Sequence, residues 1–107
     1  MSFRWPNKDP DELLDYSIDW SRFLGTSSIN TIDWFIHDSS NSSTSQTILP
    51  GETKNGIKLV AKTNTSTVAT INLQLGTVNT EYKFTCRMID NNGHIAERSV
   101  KLRIRNK

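Results

Sequence analysis

The sequence predicts an all-β fold: a single two-sheet sandwich preceded by an extended N-terminal arm. Five short runs alternate apolar and polar residues, a sixth is less regular, and chain-reversal signals separate them, the pattern of a sandwich. Size sets the third bound, because 107 residues make one ordinary domain. Leu, Ile, Val and Phe number 26 of those residues. That is about 24%, above the roughly 20% below which chains tend to stay disordered. One thin core is therefore expected.

Residues 1–12 form the arm and residues 13–107 the sandwich. Asp9 before Pro10 suits the N-cap and N1 positions, so Asp9-Pro10-Asp11-Glu12 is expected to cap a single helical turn. Tyr16, Ile18 and Trp20 then alternate with Ser17, Asp19 and Ser21, and Ile32, Trp34 and Ile36 follow with Asp33 and His37 between and after them. In a strand successive side chains point to opposite faces, so each run has one dry face and one wet face. Residues 38–47 are ten in a row without an apolar side chain. Such a stretch buries nothing and is expected to be an exposed, mobile loop. Pro50-Gly51 reverses the chain before a less regular strand over Ile57 to Lys62.

The last three runs are the clearest. Ala69, Ile71, Leu73 and Leu75 alternate with Thr70, Asn72 and Gln74; Tyr82, Phe84, Cys86 and Met88 alternate with Lys83, Thr85 and Arg87. Asp90-Asn91-Asn92-Gly93 supplies residues that tolerate positive φ, as a tight hairpin requires. Beyond it Val100, Leu102 and Ile104 alternate with Lys101, Arg103 and Arg105. Those charges suit an edge strand guarded against pairing with strangers.

The formal charge is +2, too near neutral to predict nucleic-acid binding. Its distribution is polarised, because residues 1–20 carry a net −3 and residues 82–107 a net +5. That asymmetry either steers one surface toward a partner or lets the two ends of the chain attract. No apolar run approaches the roughly 18 residues of a membrane span, and the N-terminus has no signal-peptide apolar stretch. The expectation is a soluble domain folded or assembled inside a cell, with no membrane partner.

Chemistry has few candidates. Cys86 is the sole cysteine, so an intrachain disulfide and a multi-cysteine metal site are excluded. Between Phe84 and Met88 on a dry face it reads as a small hydrophobe, not a nucleophile. His37 and His94 read as surface residues. The acidic group Asp9, Asp11, Glu12 and Asp15 lacks the glycine and distal glutamate of a calcium loop. Asn41-Ser42-Ser43 and Asn64-Thr65-Ser66 match the glycosylation pattern, which matters only in a secreted chain. No catalytic residue, cofactor or metal is expected, and the basic strand has no interleaved aromatics for stacking bases.

Aromatics crowd the first third of the chain: Phe3, Trp5, Tyr16, Trp20, Phe23, Trp34 and Phe35. Trp20 and Trp34 suit a sandwich core. Phe3 and Trp5 precede the first regular strand, so they either fold back on their own sheet or dock on another subunit. Docking is the reading adopted. The expected partner interface comprises Phe3, Trp5, Lys8, Asp9, Asp11, Glu12, Arg103 and Arg105.

Trp5-Pro6, Lys8-Asp9-Pro10-Asp11-Glu12, Leu14-Asp15-Tyr16 and Ile18-Asp19-Trp20 together resemble the opening of small virion proteins from tailed bacteriophages and prophages. The ending is similar too: the Cys86 strand, the Asn92-Gly93 turn, then Glu97-Arg98-Ser99, Leu102 and Ile104. The resemblance covers both ends, about half the chain. It implies an immunoglobulin-like sandwich acting as a non-enzymatic fibre–tail adaptor, with no catalytic residues to carry over. Implied partners are other virion proteins, of tail or fibre or alternatively of the capsid, met in multiple copies within a symmetric assembly. The implied location is the virion, assembled in the bacterial host cytoplasm. Two rivals remain at this point: a capsid decoration protein, and a carbohydrate- or host-surface-binding module using Trp5, Phe35 and the 38–47 loop. Tyr82 stands four rather than two residues before Cys86, the wrong spacing for a tyrosine corner.

Overall fold

The structure is a computed structural model that describes residues 3–106, with Phe3 described through its backbone alone. Met1, Ser2, Lys107 and the Phe3 side chain, all parts of the expected arm or basic strand, lie outside the described residues. Among those residues are nine strands and one short helix. They are β1 (Phe3–Arg4), β2 (Leu14–Asp19), α1 (Ser21–Leu24), β3 (Ile29–His37), β4 (Ser45–Thr47), β5 (Thr53–Lys54), β6 (Ile57–Asn64), β7 (Val68–Leu75), β8 (Glu81–Asp90) and β9 (Ile95–Arg103). One sheet runs β1-β9-β8-β3-β4 and the other β2-β7-β6-β5. Every pairing between strands is antiparallel except β1 on β9.

Period-two alternation places the core as expected. Tyr16 and Ile18 of β2, Ala69, Ile71 and Leu73 of β7, and Ile57 and Leu59 of β6 face Trp34, Ile36, Phe84, Cys86, Met88, Val100 and Leu102 from the other sheet, all buried. Burying such side chains stabilises by about 1.5–3 kcal/mol each, so the alternation itself drives the two sheets together. Leu75 breaks the pattern: it stands 45% exposed because its φ of 66° turns the chain out of the strand. Gly76, next in line at φ 114°, packs so closely that a Cβ there would meet the Ile104 side chain at 2.9 Å.

Several expectations change. The segment before β2 is not a projecting arm. β1 pairs with β9 in register Phe3–Val100 and Arg4–Lys101, and the Trp5 amide donates to the Lys101 carbonyl at 2.9 Å. Trp5 is buried because its large ring has more to gain in the core than in water. That same pairing makes β9 an inner strand where an edge was expected. The polar 38–47 stretch ends in β4, whose Ser45–Thr47 pair with β3, since backbone groups pair whatever the side chains are. The 9–12 segment makes a hydrogen-bonded turn without helix, and the helical turn lies instead at Ser21–Leu24.

Turn chemistry fixes the registers. Asn55 and Gly56, with φ of 55° and 84°, form the two-residue loop that lets Lys54 pair with Ile57. Val60 sits at a register shift between Leu59 and Ala61, an extra residue of the kind that bends a strand. The Tyr82 hydroxyl donates to the Asn55 carbonyl at 2.6 Å and accepts the Thr77 amide at 2.9 Å.

Candidate functional site

One end of the sandwich gathers most of the residues expected to meet a partner. Lys8 lies alongside the end of the last strand: its amide donates to the Arg103 carbonyl at 3.0 Å, and its carbonyl accepts the Arg105 amide at 2.8 Å. Two reciprocal bonds shape the acidic turn that follows. The Asp11 amide donates to Asp9 Oδ1 at 2.9 Å and the Asp9 amide to Glu12 Oε1 at 2.8 Å, the logic of a capping box without its helix. Asp9, Asp11, Glu12, Arg103 and Arg105 therefore share one end, where the acidic front and the basic tail of the chain meet.

Two of the expected contact residues are unavailable there. Lys8 is completely buried, and its Nζ donates to the carbonyls of Asp9 and Leu75 at 2.9 and 2.7 Å. Trp5 is stacked on Tyr16 and donates from Nε1 to the Ser17 carbonyl. Both hold the site in shape from behind. The exposed surface instead carries three apolar residues: Leu13 at 54%, Val78 at 37% and, contrary to its expected place on a dry face, Leu75 at 45% exposure. Leu14 pairs with Leu73, so Leu13 and Leu75 lie one register step apart, and Val78 follows in the loop after β7. A signal was present for Leu13, because two adjacent strand leucines cannot both face the core.

The nucleophilic and titratable candidates are not brought together. Cys86 is buried between the sheets, and burial pushes its thiol up to about 12; it stays protonated and unreactive. His37 is buried too, against expectation, because the 38–44 turn folds over it. Its Nδ1 donates to the Ser42 carbonyl at 2.8 Å, and its Nε2 shares a hydrogen bond with the Thr85 hydroxyl at 2.7 Å. His94 is exposed as expected and faces Asp90 across the hairpin at 3.2 Å. Burial opposes the Asp90 charge, but the His94 amide, the Ser27 hydroxyl, the His94 ring and the Asn92 amide together hold its carboxyl below the usual range. Among the described residues no three His, Cys, Asp or Glu cluster as a metal site would require. The aromatics proposed for stacking sugars are covered: Trp5 lies in the core, and the Arg87 guanidinium sits 4.9 Å over the Phe35 ring.

Fold and geometry together define a small all-β protein of two packed sheets. Its family can be stated more closely. The chain belongs to the podophage GP4 fiber-tail adaptor protein gp77 family, whose model matches residues 8–103. No curated protein matches it. The match begins at Lys8 and so takes in the acidic turn and β2 through β9, but not β1 or Trp5.

Proposed function

We propose that this phage adaptor works without catalysis, joining fibre to tail through protein–protein contacts made at the end of the sandwich built by the acidic turn. The carrying observation is the exposed Leu13, Leu75 and Val78 beside the hydrogen-bonded 9–12 turn. Exposed apolar side chains rimmed by fixed charge are the composition of a contact surface. Leu75 is held there by its backbone conformation. Asp9, Asp11, Glu12, Arg103 and Arg105 form the rim and set orientation. The protein acts in several copies within a symmetric virion assembled in the host cytoplasm, each copy offering the same patch.

We read the sandwich as immunoglobulin-like. Support comes from a first strand laid parallel on the last, a buried Trp34 directly opposite Cys86 on the neighbouring strand, and the Tyr82 bonds to backbone upstream.

Quantitative mass spectrometry of purified virions tests the role. A few copies per particle relative to the major capsid protein are expected, and Leu13→Asp with Leu75→Asp should fold yet fail to enter particles. Copies rising with the capsid lattice would make it a decoration protein, and absence from virions would overturn the reading.

A further inference from the structure

A second surface lies on the outer face of the five-stranded sheet and meets the first at Arg103. Register places Arg4 opposite Lys101 and Lys101 opposite Lys83, so three cations stand in one row across β1, β9 and β8. The next position along pairs Arg103 with Glu81. Four cations thus share one carboxylate, a local charge of +3 where the whole chain has +2. Glu81 is committed already: Arg4 donates to its Oε2, and Lys101 Nζ lies 3.9 Å from its Oε1. The hydrogen bond from Arg4 holds the Glu81 carboxyl below its usual range.

That arrangement works against the isolated fold. Like charges directly opposite in a sheet are destabilising, and Lys83 has no ion-pair partner among the described residues. Arg103 Nε is buried without a hydrogen-bond acceptor. Residues that oppose the isolated fold in this way fit a role in binding.

We infer that this row is the docking site for an acidic, extended protein segment of a virion partner. Lys101 and Arg103 lie about 7 Å apart along β9, the spacing of alternate side chains in any extended chain, and the row is about 10 Å wide across three strands. A segment with Asp or Glu at every second position would place its carboxylates over those cations. A single-stranded nucleic acid fits less well, because stacking platforms are wanting: Phe35 lies under Arg87 and Tyr82 is buried. The inference rests on the adaptor reading for the existence of a partner and names the chemistry of one contact.

The test uses the purified full chain and a fluorescein-labelled deca-glutamate peptide, followed by anisotropy at low and high salt. Binding at low salt should weaken about tenfold in the Lys83→Gln/Lys101→Gln variant and fall steeply with added salt. An Arg22→Gln/Lys58→Gln variant, matched in charge but altered elsewhere, should bind as the parent does. Lys83→Gln alone should raise the denaturation midpoint, because it relieves the pair with Lys101. Equal loss in both double variants, no peptide binding at low salt, a lowered midpoint for Lys83→Gln, or tighter binding of an oligothymidylate through the same lysines would each overturn the proposal. Virion incorporation, measured separately, distinguishes the readings. Normal incorporation without peptide binding removes only this site, and peptide binding without incorporation removes only the adaptor role.

Discussion

Trp5 and Tyr16 stack with ring centroids 4.9 Å apart and planes at 21°, joining the two sheets at the open side of the sandwich. Trp5 follows β1 of one sheet and also lies 5.9 Å from Trp34 and 6.1 Å from Phe84. Tyr16 belongs to β2, the edge of the other sheet. The Trp5 indole donates to the Ser17 carbonyl at 3.2 Å, and the Tyr16 hydroxyl to the Pro6 carbonyl at 3.3 Å. The aromatic pair therefore closes the core and satisfies backbone groups on both sides of the gap. An edge strand that offers its carbonyl to a side chain is also less open to a stray strand.

Trp5→Ala is accordingly a core deletion, expected to cost about 3–5 kcal/mol. Guanidinium unfolding would show a lowered midpoint, and removal of residues 1–7 should lower it at least as far. An unchanged midpoint combined with exclusion from particles would return Trp5 to the role of a partner contact.

The six longer strands were legible because each is long enough to repeat a period of two. The three strands the sequence reading passed over, β1, β4 and β5, are two or three residues long, too short for any period to show. For β5 a different signal existed in Asn55-Gly56, the strongest short-range mark of a hairpin. His37 could not be placed from sequence, since it follows the wet side of its strand and is buried only by the turn that folds back over it. At the candidate site the charges and Leu13 were readable but Leu75 was not. Leu75 continues a faultless alternation, and its backbone dihedral puts it outside.

Lys8→Met tests the buried lysine. Methionine matches the stem but removes both donors, leaving the carbonyls of Asp9 and Leu75 without the Nζ bonds they now accept. Losing a partner from a buried polar group costs about 1–3 kcal/mol, so urea unfolding should register a loss of about that size. Because those bonds tie the acidic turn to the end of β7, exchange of backbone amides in the 9–12 turn should also accelerate. Unchanged stability and exchange would mean the lysine is not the clasp.

Gly76→Ala should be among the most damaging small substitutions. The φ of 114° disfavours any L side chain, and the new Cβ would meet Ile104 Cδ1 and Cγ1 at 2.9 Å. Strain of this kind costs about 1–3 kcal/mol before the clash is counted. Gly51→Ala, also at positive φ but with open space around it, should lose less in the same denaturation experiment. Equal losses would show that packing against Ile104 adds nothing to the backbone term.

Alkaline pH should unfold the protein through two buried acids. Burial pushes the Tyr16 hydroxyl up to about 12, helped by the Glu12 charge, and burial pushes the Cys86 thiol to about 12 as well. Their unfolded values are about 10 and 8.5. A folded pKa above the unfolded one means the unfolded chain releases its proton first, so raising the pH favours unfolding. The stability these groups contribute is whole below about pH 8.5 and is lost progressively as the pH climbs toward about 12. Denaturation midpoints measured across that range should decline, beginning with Cys86 and steepening where Tyr16 joins. Cys86→Ala should start lower and remove the early part of the decline, and Tyr16→Phe the later part. A parent protein whose midpoint stays level to pH 11 would show that neither group keeps its proton in the fold.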